Sequence, residues 1–359
     1  MKKLISYLIF NRIAIILLGF FLSEIRPFYK FLLTFGHRWD GNSYTFIASH
    51  GYVINGSEKN FLVFPPLYPI FIRAVSALGI DPTLSGMIIS NVFFVLGMLL
   101  LYKLVKSIRT HEVALITVIL ISIFPTTYFL SVAYPESLFI FLFTLSFYLA
   151  EKKKFYLAAL IGGFAAMTRP FGLIIFPSIA LFMLVGKKVN ILNLFLAGLI
   201  FSLPIIPYVY LNYSLFGNPI AFTVFLKENW HKSSDFPWNG IISSWKRGIL
   251  TKDSFVYKYF IGYSEAIAST IAWISIGLGI KRWSLRSPYL LYLFLGTLFF
   301  TSTGFILSAP RYLLSIPPFF ILISEIISKR RVLLYIWTPI SLILLCYFMK
   351  VFAEGGWGF

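Results

Sequence analysis

Carboxylates are scarce in this chain, so acid–base chemistry must rest on few side chains. The sequence holds 13 Asp and Glu against 31 Lys and Arg in 359 residues. Asp40 stands out because a helix is predicted to begin there, and helical spacing would put Tyr44, Ile47 and Gly51 on its face. The positive end of the helix dipole would keep the carboxylate ionised and able to accept a proton. The alternative is that Asp40 only caps a surface helix.

Three further charged residues could meet a substrate. Glu136 precedes an apolar stretch, where it could be a reacting carboxylate or the acidic residue of a helix N-terminus. Arg169 lies in a T-R-P-F-G turn between two short apolar arms, and Arg311 comes just before another apolar stretch. A guanidinium offers a fork of donors that matches phosphate oxygens. Arg311 could instead anchor a helix at the membrane interface.

Histidine and cysteine give no sign of a metal centre in the sequence. No pair among His37, His50 and His231 has metal-ligand spacing, and there is no D-x-D pair. Cys346 is the single cysteine, which excludes a disulfide framework within the chain. We therefore expect neither a metal nor another cofactor.

The elements that must position these residues are apolar. Hydrophobic residues make up 58% of the chain and charged residues 12%, and the mean hydropathy is +0.84. Such a composition requires lipid as the solvent. The net charge of +18 does not indicate a nucleic-acid partner, because Lys and Arg occur in short clusters between apolar stretches. Under the positive-inside rule the clusters mark cytoplasmic turns at Lys103/Lys106/Arg109, Lys152/Lys153/Lys154, Lys187/Lys188, Lys281/Arg282/Arg286 and Lys329/Arg330/Arg331.

The clusters predict one integral membrane domain, residues 1–359, with the N-terminus in the cytoplasm. Two outer loops follow, 24–60 and 212–260, and the prolines and Arg73 of 61–80 indicate a surface or re-entrant helix there. The two arms around Arg169 hold about 15 residues each, which is about 22 Å as a helix and shorter than the hydrocarbon thickness of about 30 Å. Arg169 would therefore lie within the membrane and need an anionic partner or a wet cavity. Spans are predicted at roughly 1–22, 86–105, 191–211, 262–280, 288–306, 312–327 and 332–347, beside shorter passages.

Residues 39–52 read W-D-G-N-S-Y-T-F-I-A-S-H-G-Y. This string is similar to the W-D-x-x-x-[FY]-x-x-I-A-x-x-G-Y signature of the PIG-V family, the GPI second-mannose transferases and their prokaryotic relatives, within the GT-C superfamily. Three later strings resemble further family motifs in the same order: F-P-P-L-Y-P at 64–69, A-Y-P-E-S-L-F at 133–139 and T-R-P-F-G at 168–172. The string at 168–172 departs from the family's A-R-S-N-G at Pro170 and Phe171. This departure leaves the identities of the sugar donor and of the acceptor open.

The resemblance implies a fold and an activity. The fold would be all-α and polytopic, a GT-C-like bundle of about 10–11 membrane helices whose outer-face loop carries short surface helices. The activity would be transfer of a sugar, most often mannose, from a dolichyl- or polyprenyl-phosphate donor to a glycolipid or other acceptor at the outer leaflet of a cell or ER membrane. The lipid phosphate leaves without a general acid, so Asp40 suffices as the base, and inversion is the simplest outcome. The predicted substrate contacts are Trp39, Tyr44, His50, Tyr134, Glu136, Arg169 and Arg311.

Two other classes of protein stay open on the sequence alone. A transporter or lipid flippase would share the spans, the broken helices and the intramembrane arginine, but it should show matched halves, and none is visible in the sequence. A non-catalytic subunit of a membrane assembly would not need the W-D motif or Arg169.

Overall fold

The protein is a helical membrane protein. A computed structural model describes residues 1–186, 190–230 and 233–359, and within these ranges β-structure is limited to one isolated bridge between Ser234 and Thr303. The prediction of an all-α polytopic fold is confirmed. The α-helices are α1 (Lys2–Leu22), α2 (Phe28–Gly36), α3 (Asp40–His50), α4 (Leu67–Ser76), α5 (Pro82–Ile108), α6 (His111–Ser122), α7 (Glu136–Glu151), α8 (Phe155–Ala166), α9 (Ile175–Gly186), α10 (Ile191–Ser202), α11 (Ile206–Phe216), α12 (Ala221–Trp230), α13 (Pro237–Leu250), α14 (Glu265–Arg282), α15 (Pro288–Thr301), α16 (Ala309–Leu313), α17 (Pro317–Lys329) and α18 (Val332–Ala353). Short 3-10 segments lie at Ser57–Val63, Thr127–Leu130 and Pro170–Ile174, and a π-helical segment at Val256–Ser264.

The chain forms two compact units, each built from separated segments. The first, which we name the terminal unit, comprises Met1–Arg26, Leu101–Tyr128 and Lys232–Phe359. The second, the motif unit, comprises Pro27–Leu100 and Phe129–His231. All four strings that resemble the PIG-V family lie in the motif unit, whereas Arg311 belongs to the terminal unit.

Four helices of the described chain are long and apolar enough to cross a membrane unaided: α1, α5, the continuous helix Val256–Arg282, and α18. Helices α10 and α11 make a fifth passage if they count as one span, although they meet at an angle of 52°. These helices cover the spans predicted near 1–22, 86–105, 191–211, 262–280 and 332–347, so multi-pass insertion is confirmed. The predicted residues Lys187, Lys188 and His231 lie outside the described ranges.

Other apolar helices are too short to cross a bilayer alone. Helices α8 and α9 hold 12 residues each, about 18 Å against a hydrocarbon thickness of about 30 Å. Helix α15 ends at Thr301, earlier than the predicted span. Helix α17 begins at Pro317 rather than near residue 312, because a proline at N1 lacks its N–H and disfavours helical backbone at Ile316. The predicted total of 10–11 passages therefore requires short helices to count as passages.

A buried arginine holds helix ends together inside the terminal unit. Arg12, in α1, is 3% exposed, and its guanidinium donates to the carbonyl oxygens of Ser122 (3.3 Å) and Thr127 (3.2 Å). Ser122 is the last residue of α6, where carbonyl groups lack helical partners, and Thr127 is the first residue of the following 3-10 segment. The hydropathy of the first span did not indicate this contact.

Two of the basic clusters also make ion pairs within the terminal unit. Arg109 pairs with Glu325, and Arg331 pairs with Glu112 at 2.7 Å. Arg109 follows the end of α5 and Arg331 precedes α18, whereas Glu325 lies in α17 and Glu112 in the first turn of α6. They are partly exposed, so we expect each to add little to stability.

Candidate active site

The start of α3 is a tight turn with a strained backbone at Trp39. This residue has φ 50° and ψ −121°, and the N–H of Gly41 donates to the carbonyl of Arg38 at 3.0 Å. The combination is the geometry of a type II′ turn, whose first central position favours glycine. A tryptophan there stores backbone strain. The turn sets the position of Asp40, which is the first residue of α3, as the sequence predicts.

The hydroxyl of Tyr134 bridges this turn. It donates to the carbonyl of Arg38 at 2.9 Å and accepts the N–H of Asp40 at 3.1 Å. The Tyr134 side chain is 0% exposed. Close packing continues at Gly41, where a Cβ would overlap the carbonyl oxygen of Gly36, so only glycine fits. The hydroxyl thus holds the backbone on both sides of Trp39.

Helix α3 buries one face, as its spacing predicts. Tyr44 and Ile47 are each 4% exposed, whereas Asp40, at the N-terminal end, is half-buried. The Tyr44 ring packs against the rings of Phe64 and Tyr68, with centroids 5.0 Å and 5.4 Å away. The predicted substrate contact Tyr44 is therefore a packed aromatic residue, and Asp40 stands half-buried at the N-terminal end of the same helix.

Two other predicted substrate contacts are exposed. Trp39 is 47% exposed, and His50, the last residue of α3, is exposed and stacks on Phe46 with ring centroids 4.6 Å apart. The helix between Trp39 and His50 has 11 residues, about 16 Å along its axis. The two predicted contacts therefore lie at opposite ends of α3.

Glu136 and Arg169 form a buried ion pair. Their side chains are 1% and 6% exposed. Glu136 opens α7, and Arg169 lies at the tip between α8 and α9, where its guanidinium carbon is 5.9 Å from the centroid of the Phe171 ring. Of the two predicted alternatives for Arg169, an anionic partner or a wet cavity, the structure shows an anionic partner, and it is the acid of the preceding motif. Phe171, at the departure from the family pattern, is part of the surroundings of this arginine.

The segments that carry these motifs contact one another. The N–H of Leu67, in F-P-P-L-Y-P, donates to the carbonyl of Met167, just before the Arg169 tip, at 3.0 Å. At the other end of α3, Arg73 donates to the Ala48 carbonyl at 2.6 Å. The four sequence strings are thus packed in one unit, although they are separated along the chain.

Burial changes proton affinity on both sides of α3. It lowers the pKa of Arg38, two residues before Asp40, but a guanidinium stays charged at neutral pH. It raises the pKa of Tyr52, after α3, so this hydroxyl stays protonated and donates to the Phe64 carbonyl at 2.6 Å. Arg38 therefore supplies a fixed positive charge near the start of the helix.

The turn before Arg311 in the terminal unit is also strained. Ser308 has φ 72° and ψ 26°, in the left-handed region, and α16 follows it. The carboxylate of Glu265 is 0% exposed and accepts the N–H groups of Ser308 and Ala309, each at 2.6 Å. Arg311 itself is 7% exposed, within α16 rather than before a long span. The sequence alone did not single out Glu265.

The predicted residues thus fall into separate groups. Trp39, Asp40, Tyr44 and Tyr134 surround the start of α3, and Tyr44 and Tyr134 have ring centroids 6.4 Å apart. Glu136 and Arg169 form the buried pair of the same unit. Among the described residues, no three His, Cys, Asp or Glu side chains are grouped so that they could hold a metal ion.

Comparison with known proteins identifies the fold. The sequence model of the dolichyl-phosphate-mannose-protein mannosyltransferase family matches residues 64–211, which include Tyr134, Glu136 and Arg169. No curated protein sequence matches the chain.

Two solved structures are similar in fold. ArnT from Cupriavidus metallidurans, a crystal structure bound to undecaprenyl phosphate, has a TM-score of 0.55 and 11% identity, covering 90% of this chain and 60% of that one. The Archaeoglobus fulgidus oligosaccharyltransferase, in complex with Zn and sulfate, has a TM-score of 0.51 and 13% identity, covering 96% of this chain and 53% of that one. The chain spans a little over half the length of these proteins. It therefore has the GT-C-like membrane fold that they share, as the sequence predicts.

Proposed function

We propose that the protein is a GT-C-type glycosyltransferase that moves a sugar from a dolichyl- or polyprenyl-phosphate donor to an acceptor at the outer leaflet. The observation that carries the proposal is the half-buried Asp40 at the start of α3, on a strained turn within the W-D motif. The family matched at residues 64–211 is named for dolichyl-phosphate mannose, and ArnT was crystallised with undecaprenyl phosphate, which both support a lipid-phosphate donor. Mannose and the narrower PIG-V relationship rest on the resemblance of the motifs.

The proposed reaction is a single displacement. An acceptor hydroxyl oxygen attacks the anomeric carbon of the sugar and forms the new glycosidic bond. The bond from that carbon to the phosphate oxygen breaks, and the lipid phosphate leaves with the electron pair. Asp40 takes the proton of the hydroxyl as general base. One displacement inverts the anomeric centre, since retention would require a second, nucleophilic carboxylate near the first.

Replacing the base tests the proposal directly. Asp40→Asn keeps the shape of the side chain but removes the basic oxygen, so turnover should fall by about 10² to 10⁴ with the protein still folded. The assay is transfer from radiolabelled polyprenyl-phosphate mannose in proteoliposomes made from lipids of the producing cells, which supply acceptors. Glu58→Gln, at another half-buried carboxylate of the motif unit, is the matched control.

The outcomes separate the candidate functions. Near-normal transfer by folded Asp40→Asn would remove Asp40 from the mechanism and direct attention to Glu136. A transporter or flippase would move the labelled lipid across the bilayer without breaking its sugar–phosphate bond. Wild-type protein that yields only intact donor would therefore contradict the transferase proposal.

We propose Arg169 as the group that binds the donor phosphate, with Arg311, of the terminal unit, as a second candidate for that role. Arg169 already has an anionic partner in Glu136, so two roles must be separated. If Arg169 also binds phosphate, Arg169→Ala should weaken donor binding about ten- to a hundredfold, because charge-assisted bonds contribute about 1.5 to 3 kcal/mol. If it only neutralises Glu136, Arg169→Ala and Glu136→Gln should both change stability and leave the donor affinity of the folded protein unchanged.

We propose that the N-terminus is cytoplasmic and that Asp40 faces the outer side, in a cell or ER membrane. The clustered Lys and Arg support this orientation. In a Cys346→Ser background, a cysteine placed at Asn55 should react with a membrane-impermeant reagent in intact cells. A cysteine at Lys153 should react only after the membrane is opened. External labelling at Lys153 would overturn the orientation.

A further inference from the structure

The hydroxyl of Tyr134 touches the turn before α3 at two backbone groups that flank one residue. It donates to the Arg38 carbonyl at 2.9 Å and accepts the Asp40 N–H at 3.1 Å. Between them lies Trp39, with its positive φ of 50°. Both peptide groups next to the strained residue are therefore fixed by one side-chain oxygen.

This arrangement matters because the strained conformation is not the one that a tryptophan prefers. A non-glycine residue with this backbone persists only when its surroundings over-determine it. Without the bridge, Trp39 could relax toward a negative φ. The next residue is Asp40, so any such rotation would turn the first residue of α3 and move its carboxylate.

Tyr134 is itself held firmly. The Ser90 hydroxyl donates to the Tyr134 carbonyl at 2.9 Å, and the Tyr68 and Ser90 hydroxyl oxygens are 2.8 Å apart. The N–H of Ala133 donates to the carbonyl of Gly36, in α2, at 3.3 Å. Ser90, in α5, and Tyr68, in α4, are each 0% exposed. The hydroxyl therefore projects from a rigid, buried base of the motif unit.

We propose that Tyr134 is a positioning residue for Asp40: its hydroxyl locks the strained turn at Trp39 and so fixes the direction of the carboxylate toward the acceptor hydroxyl. The inference rests on the proposed role of Asp40 as general base. It assigns Tyr134 a role through the backbone, in place of the direct substrate contact that the sequence suggested. The A-Y-P-E motif then acts on the W-D motif through one oxygen atom.

The distinguishing observable is the split between turnover and substrate affinity. Misplacing a reacting group by about 1 Å costs on the order of a hundredfold in rate. Tyr134→Phe, which removes only the hydroxyl, should lower kcat about 10- to 100-fold and leave the KM for polyprenyl-phosphate mannose within about twofold. A substrate-binding tyrosine would instead raise KM.

The experiment compares Tyr134→Phe with Tyr292→Phe in the proteoliposome transfer assay. Tyr292 is also 0% exposed and donates its hydroxyl to a backbone carbonyl, that of Ser315, at 3.1 Å, but it belongs to the terminal unit. The control should keep its kcat. If Tyr134→Phe does not fold, Ser90→Ala loosens the Tyr134 backbone and should lower kcat about two- to fivefold, in the same direction.

The Asp40→Asn background separates failure of this inference from failure of the proposed function. If both proposals hold, Asp40→Asn has little activity, and adding Tyr134→Phe lowers kcat by less than twofold more. Active Asp40→Asn contradicts the proposed role of Asp40 as general base, and wild-type protein without any transfer contradicts the proposed function itself. Inactive Asp40→Asn together with a normal kcat in folded Tyr134→Phe overturns the positioning role alone. The positioning role is also overturned if the loss of kcat in the double variant equals the product of the losses in the two single variants.

Discussion

Two strained turns, one in each unit, are held by different chemistry. In the motif unit, Trp39 has a positive φ, and the neutral hydroxyl of Tyr134 bonds the backbone on both sides of it. In the terminal unit, Ser308 has a positive φ, and the carboxylate of Glu265 accepts two successive N–H groups. We name these the Trp39 turn and the Ser308 turn.

The difference between the two holding groups predicts different uses. Hydrogen bonds to a charged group are about twice as strong as those between neutral groups. A buried carboxylate without hydrogen-bond donors also has a large desolvation penalty. Loss of either contact of the Ser308 turn should therefore strongly destabilise the protein. The Trp39 turn is held by weaker bonds, which can change geometry without unfolding the protein. We therefore expect the Ser308 turn to govern stability and the Trp39 turn to govern catalytic geometry.

The largest expected effect is at the Ser308 turn. Glu265→Ala leaves two buried N–H groups without their charged acceptor, so the free energy of unfolding should fall by about 3 to 5 kcal/mol. Denaturant titration of the protein in detergent measures it. Glu354→Ala, at an acid of the same unit whose side chain is 41% exposed, should change stability by less than about 0.5 kcal/mol. If Glu265→Ala lowers the free energy of unfolding by less than about 1 kcal/mol, the Ser308 turn does not govern stability and the proposed difference between the two turns is wrong.

A smaller effect is expected at the Trp39 turn. Tyr134→Phe removes two neutral hydrogen bonds, so the free energy of unfolding should fall by about 1 to 2 kcal/mol, well below the loss for Glu265→Ala. The same denaturant titration checks the value beside the kinetics proposed above. A loss as large as that for Glu265→Ala would mean that Tyr134 is chiefly a stabilising residue.

Local pattern was enough to predict the helix that begins at Asp40 and the buried face that follows it. The periodicity of Tyr44 and Ile47 depends only on neighbouring residues. The cost of a buried charge likewise predicted that Arg169 has either an anionic partner or a wet cavity. The identity of the partner as Glu136 depends on the path of the chain between residues 136 and 169, which no local pattern contains.

The two turns could not be predicted, and the reason is physical. Tryptophan and serine are not the residues that a positive φ favours, so the sequence suggests ordinary backbone at both positions. The groups that hold the turns are distant along the chain: Tyr134 lies 94 residues after Asp40, and Glu265 lies 43 before Ser308. The span predicted from residue 312 also ran through Pro317, where the helix in fact begins.

The smallest expected effect tests the strain itself. At each turn, Gly and Ala variants both remove the side chain's contacts, so their difference isolates the backbone. The Gly variant of Trp39 should be more stable than the Ala variant by about 1 to 2 kcal/mol, and that of Ser308 by about 1 kcal/mol, because a Cβ disfavours a positive φ. At Ser49, an exposed position inside α3, the sign should reverse, since glycine is about 1 kcal/mol worse than alanine within a helix. Thermal or denaturant unfolding of the six variants measures all three differences. Ala as stable as Gly at position 39 would show that the turn relaxes once the tryptophan is gone, and the hydroxyl of Tyr134 would then have no strained backbone to hold.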